Sequence, residues 1–156
     1  MLDWLAEERD SLSARVAAVT GRAEFGLQVS YDPAVVLRQI TEEDPEVRRL
    51  EAAIRTQTAG LAYLSRQELE RVLRRQMEQH ARDLFKSVYE RARTCAEKVA
   101  VEKLKHDGAE LRMAANLSCL VATDRISELK ALADEMAVRA GQTVRLVGPL
   151  PPYSFC

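Results

Sequence analysis

Two histidines and three cysteines are the side chains of this 156-residue chain best suited to catalysis or metal binding, and their spacing supports neither. His80 lies between Met77 and Leu84, on or near a helical apolar stripe, and reads as a packed histidine. His106 sits in a polar turn beside Asp107. Neither is placed with a Ser or Cys nucleophile, and the two are not spaced as metal ligands. Cys95, Cys119 and Cys156 are widely separated, and none belongs to a Cys-x-x-Cys pair, which is the usage of reduced thiols. Cys119 is expected to face the core as an inert small apolar residue, and Cys156 to be exposed at the terminus and open to oxidation in air. Gly-x-Gly-x-x-Gly, P-loop and Gly-x-Ser-x-Gly motifs are absent, so nucleotide binding and acyl transfer lack support. The residues therefore predict no catalytic group, no cofactor and no metal.

Binding chemistry is the alternative. Arg66, Arg71, Arg74 and Arg75 cluster, but Glu68, Glu70 and Glu78 interleave with them and aromatics make up only 5% of the chain. A solvated helix face fits this better than a nucleic-acid patch. A net charge of −1 and a pI near 6.2 exert no overall pull towards nucleic acid or an anionic membrane. No apolar run approaches the roughly 20 residues of a membrane helix, and the start Met1-Leu2-Asp3-Trp4 is acidic, unlike a signal peptide. A cytoplasmic location is the expectation. Four large residues on one long helix, Tyr63, Leu64, Phe85 and Tyr89, are the candidate partner-binding residues, because only some of them can face a single neighbour.

The elements that must position these groups follow from pattern. An apolar fraction of 47% predicts a folded chain, read as a single α+β domain over 1–156. The uncharged stretch Met113–Thr123 puts Ala115, Leu117, Cys119 and Val121 on one side at period two, with Ala114, Asn116, Ser118 and Ala122 on the other. It predicts a strand with one face for helices and a second, smaller-residue face open to a cover. His106-Asp107-Gly108 precedes it as a turn, and Asp124 is the expected N-cap of the next helix. Phe25, Leu27, Val29 and Tyr31 alternate with Glu24, Gly26, Gln28 and Ser30 as a half-buried strand.

Leu2, Leu5, Leu12, Val16 and Val19 recur at helical spacing up to Gly21. Asp32-Pro33 and Asp44-Pro45 are N-cap and first-turn signals for helices over Pro33–Ile40 and Pro45–Arg55. After a break at Thr56–Gly60, Leu61 to about Lys105 contains no Pro or Gly. Its apolar stripe includes Val99, and Glu70–Arg74 and Glu78–Arg82 are favourable i,i+4 pairs. One helix here would extend roughly 65 Å at about 1.5 Å per residue, so it projects or folds back on its neighbours as a helical hairpin. Ile126 to Ala140 form a last amphipathic helix ended by Gly141, and Thr143–Gly148 a short strand. The Pro-rich tail that follows is expected to be extended, with Tyr153 and Phe155 packing back on the sheet.

This order predicts a truncated ferredoxin-like sheet: a βαββαβ unit lacking its first strand, backed by the first and last helices. A helical or coiled-coil insertion over 33–106 would interrupt it, between 1–32 and 107–156.

Gly148-Pro149-Leu150-Pro151-Pro152-Tyr153-Ser154-Phe155 resembles the C-terminal Gly-Pro-Trp-Pro-Pro-Tyr-Ser-Phe signature of the GvpF/GvpL family of gas vesicle proteins, with Leu150 in place of Trp. Met113–Val121, with Asn116, resembles the family's Asn- and Ala-rich strand. Gly60-Leu61-Ala62-Tyr63-Leu64 with Arg66 resembles its Gly-x-x-Tyr-Leu motif, and Gly21–Val29 its strand entry. The resemblance runs over essentially the whole chain but covers the second half of a usual member, whose preceding α+β domain has no counterpart here. It implies a non-enzymatic minor component of gas vesicles that binds the hydrophobic shell protein, alongside other gas vesicle accessory proteins, and assists nucleation or assembly of the shell. Without its first strand the sheet would either close Met113–Thr123 and Thr143–Gly148 up as a parallel pair or leave an open slot between them, and such a slot is expected to be filled in trans by another copy or by a separate N-terminal-domain chain. The competing expectation is a regulatory ferredoxin-like module that binds a small ligand on the open sheet face, lined by Glu24, Gln28, Asn116 and Ser118.

Overall fold

The computed structural model describes residues 2–106, 108 and 110–155, with side chains from residue 7 onward, so the readings on Asp107, Cys156, Leu2 and Leu5 lie outside the described residues. The chain runs α1 (Leu2–Val19), β1 (Arg22–Tyr31), α2 (Pro33–Glu43), α3 (Pro45–Thr56), α4 (Ala59–Cys95), β2 (Lys98–Val101), β3 (Arg112–Ala122), α5 (Ile126–Ala137) and β4 (Gln142–Leu150), with short 3-10 turns at Thr123–Arg125 and Tyr153–Phe155. The strands form one antiparallel sheet in the order β2-β3-β1-β4.

Alternation decides the layers. Phe25, Leu27 and Val29 of β1 stand opposite Cys119, Leu117 and Ala115 of β3, and all six are at most 1% exposed. This apolar face is covered by Leu84, Val88, Ala92 and Cys95 of α4 and by Leu129, Leu132, Ala133 and Met136 of α5. Each large side chain so buried contributes about 1.5–3 kcal/mol. A second, smaller cluster of Val47, Leu50 and Val72 joins α3 to α4 away from the sheet.

The helix starts follow their caps. Asp32 accepts from the Ala34 amide at 2.8 Å, and Asp44 from those of Glu46 and Val47 at 2.8 and 3.2 Å. The other Asp44 oxygen accepts from Gln76 of α4 at 2.7 Å, so one side chain starts α3 and ties it to the long helix. Ion pairs along α4 join Arg71 to Glu68 and Arg75 to Glu46 rather than Glu70 to Arg74 or Glu78 to Arg82.

Several expectations are overturned. The predicted slot does not exist, because Arg22–Tyr31 is itself the strand between β3 and β4 and hydrogen-bonds to both. No strand from another chain is needed there. Lys98–Val101 is strand, not the end of the long helix: α4 stops at Cys95, and Val99 pairs opposite Cys119 at the sheet edge. An edge of β3 left unpaired at this point would leave buried backbone groups unsatisfied, which outweighs the helical pattern. The first helix does not back the sheet, for residues 7–18 of α1 are exposed. Asp124 does not cap α5, because the chain makes a 3-10 turn first and Arg125 occupies the cap position.

β4 also runs on to Leu150, through Pro149, which an edge strand tolerates because its outward amide needs no partner. Glu24 pairs with Leu150 and Gly26 with Val147, so the strand bulges at Gly148-Pro149.

Candidate functional site

Of the four candidate partner-binding residues, the fold keeps two together at each end of α4. Tyr63 and Leu64 are 57% and 59% exposed near its start, beside Leu61 at 55%. Leu61 and Leu64 lie one turn apart on a shared face, while Ala62 turns inward and is buried. Tyr63 is steadied by Gln67, whose amide donates to its hydroxyl at 2.8 Å. Phe85 and Tyr89, by contrast, pack against the main core, stacked on each other at 5.9 Å, with the Arg93 guanidinium 5.9 Å from the Tyr89 ring. Tyr63 and Phe85 are about 33 Å apart along the helix. Of the four, Tyr63 and Leu64 are the large exposed side chains, while Phe85 and Tyr89 are half-buried.

The other face of the sheet is polar. Glu24, Gln28, Asn116 and Ser118 line a groove of about 620 Å³ there, rimmed by Lys103, Lys105 and Arg145. Three of the four floor residues hold the protein's own segments in place. Asn116 donates to the Lys103 carbonyl at 2.7 Å, and Ser118 to Glu102 at 3.0 Å, fixing the chain that leaves β2. Glu24, 6% exposed, accepts from the Ser154 hydroxyl at 2.6 Å and amide at 2.9 Å.

The tail therefore does return to the sheet, but through Ser154; Tyr153 is 81% exposed. The serine lies inside the C-terminal motif, yet its partner is 130 positions away, and no local pattern announces it. Ser154→Ala removes one charge-assisted bond while the amide contact stays, and should cost about 1–2 kcal/mol by denaturant unfolding. Of the other motif residues, Gly60 opens the first turn of α4 with open space around it. Gly148 and Pro149 form the bulge, and Pro151 and Pro152 lead into the turn that holds Ser154 and Phe155.

Cys119 is fully buried, and burial pushes its thiol up to about 12, with Cys95 and Glu24 adding to the shift. Such a thiol is not a nucleophile at neutral pH. His80 packs edge-on against Tyr31, with ring centroids 5.2 Å apart. Its Nε2 and the Gln142 Oε1 are buried without a protein partner and border the same cavity of about 290 Å³. Burial lowers the His80 pKa below 6.5, against the opposing pull of Asp83. The unfolded chain therefore binds a proton more readily than the folded one, and stability should fall as pH drops below about 6.5. His80→Phe should flatten that part of a stability–pH curve.

Among the described residues no three His, Cys, Asp or Glu side chains gather as a metal site, and no helix is long and apolar enough to cross a membrane. The described residues thus form an α+β fold whose polar sheet face holds the protein's own tail at Glu24 and whose long helix exposes apolar side chains at its start.

The chain matches the model of gas vesicle synthesis proteins GvpL/GvpF over residues 1–156 and belongs to that family. It is 27% identical to gas vesicle protein L2 of Halobacterium salinarum, covering 99% of this chain and 58% of that protein. It is 32% identical to gas vesicle protein F of a Streptomyces species, covering 99% of this chain and 63% of that protein. The chain thus spans about three fifths of these relatives. In fold it is similar to the crystal structure of GvpF from Anabaena sp. PCC7120, with a TM-score of 0.73 at 11% identity, covering 99% of this chain and 62% of that one.

Proposed function

We propose that the chain is a minor gas vesicle protein that binds the hydrophobic shell protein and assists nucleation or assembly of the shell, in the cytoplasm and at the vesicle. The observation that carries the reading is the exposed apolar head of α4. Leu61, Tyr63 and Leu64 present large side chains to water at the far end of a helical arm, where they serve neither core cluster. Exposed apolar surface of this kind fits a partner that must hide its own apolar surface before it polymerises. Family membership supplies the gas vesicle context.

The test is co-expression with the shell protein and affinity capture. The double variant Leu61→Asp, Leu64→Asp should lose retention by about tenfold or more with thermal stability unchanged, because both sites are exposed. Equal retention of the variant, or normal vesicles in cells lacking the gene, would overturn the reading.

Residues 1–156 are read as one domain. The order β2-β3-β1-β4 supports a complete ferredoxin-like βαββαβ unit with α2–α4 standing as its first crossover. A second function, small-ligand binding, rests on the groove over Glu24, Gln28, Asn116 and Ser118. Thermal stabilisation by a member of a metabolite panel, lost in Gln28→Ala, would favour it.

A further inference from the structure

We propose that α1 pairs with α1 of a second copy as a short antiparallel coiled coil. The helix leaves the body of the protein at Gly21 (φ 71°), where Arg22 donates to the Ala17 and Thr20 carbonyls at 3.5 and 3.2 Å and steadies the helix end. Along it, Leu12 is 55% and Val16 62% exposed, and no described element covers them. In sequence they belong to a heptad stripe that starts at Leu2 and Leu5 and ends at Val19, with Arg9 as its one charged position.

The stripe is a palindrome in heptad register. Laid antiparallel, heptad position 9 falls against 12 of the second copy, 16 against 5 and 19 against 2, so in sequence every apolar position of the stripe is matched with another apolar position or with Arg9. The flanking positions decide the occupant. Glu8 and Arg15 are the two charged residues beside the seam, and in the antiparallel arrangement Glu8 of each copy lies against Arg15 of the other. A parallel pair would place each of them beside an uncharged residue instead. Opposite charges that meet only when the helix is turned against itself point to a second copy rather than an unrelated apolar ligand.

The experiment is sedimentation of the full chain between about 10 µM and 1 mM, the range expected for so short a helix pair. The mass should rise from 17.5 kDa towards twice that value. Val16→Asp should hold it at the monomer throughout, with an unchanged melting profile because α1 lies outside the core. Glu8→Arg alone and Arg15→Glu alone should each weaken the dimer about tenfold, and the two exchanges combined should restore it. A wild-type monomer at 1 mM, a dimer indifferent to Val16→Asp, or no rescue on combining the exchanges overturns the proposal.

Discussion

Gly148→Ala should destabilise the protein by about 2–4 kcal/mol, lowering its melting temperature by about 5–15 °C. Gly148 has φ of +149°, a conformation that side-chain-bearing residues rarely adopt. An added Cβ would also lie 2.7 Å from Cδ1 of Phe25 and 2.9 Å from the Glu24 carbonyl oxygen. Neither neighbour has room to give. Phe25 is 1% exposed in the main core, and Glu24 is held by Ser154 while its strand pairs with β3. The strain falls on the bulge that carries the chain over the sheet edge to Ser154, so the Glu24–Ser154 contact should loosen too. Differential scanning calorimetry measures the loss. A melting temperature within about 2 °C of wild type would show that the edge strand re-forms around the methyl group, and the bulge would then have no strict requirement for glycine.

Val72→Asp should unfasten α3 from α4 and leave the sheet intact. Val72 is fully buried between Val47 and Leu50, and an isolated carboxylate there costs about 4 kcal/mol or more. Val72 is the one fully buried α4 side chain of this cluster, and without it α3 is held by the half-buried Leu69 and Leu73, the Asp44–Gln76 hydrogen bond and the exposed Glu46–Arg75 pair. The main cluster under β1 and β3 does not include Val72. Native-state hydrogen exchange should lose about a thousandfold protection in 45–56, where the helix comes free, and keep it in 115–121. If the exposed head of α4 binds the shell protein, retention should fall as well, because the arm that presents Leu61 and Leu64 is no longer braced. Uniform loss of protection along the chain would show instead that the arm and the sheet unfold as one unit.

Much of this molecule could be read from local pattern. Alternation over Phe25–Tyr31 and Ala115–Val121 announces two strands and the face each buries, and Leu129, Leu132 and Met136 mark the buried side of the last helix. Asp32-Pro33 and Asp44-Pro45 start two helices because a cap satisfies amides only two or three positions away. The four residues grouped on the polar sheet face, Glu24, Gln28, Asn116 and Ser118, do line one groove, since strand alternation puts them on one side whatever the strand order.

What neighbours what was decided by the tertiary structure alone. Two amphipathic helices, α1 and α4, carry stripes that suit the apolar face of the sheet, and it has room for only one of them beside α5. The longer α4 takes it, leaving Leu12 and Val16 in water. Lys98–Val101 continues a helical stripe in sequence, yet the unpaired edge of β3 draws it into the sheet, because a buried backbone group without a partner costs more than helix propensity returns. Arg22–Tyr31 becomes the central strand for the same reason, and Ser154 reaches Glu24 only because β4 carries the tail across that edge. Periodicity records which side of a segment is apolar. The partner of that side is settled by competition among distant segments for one face, and no stretch of the chain contains that result.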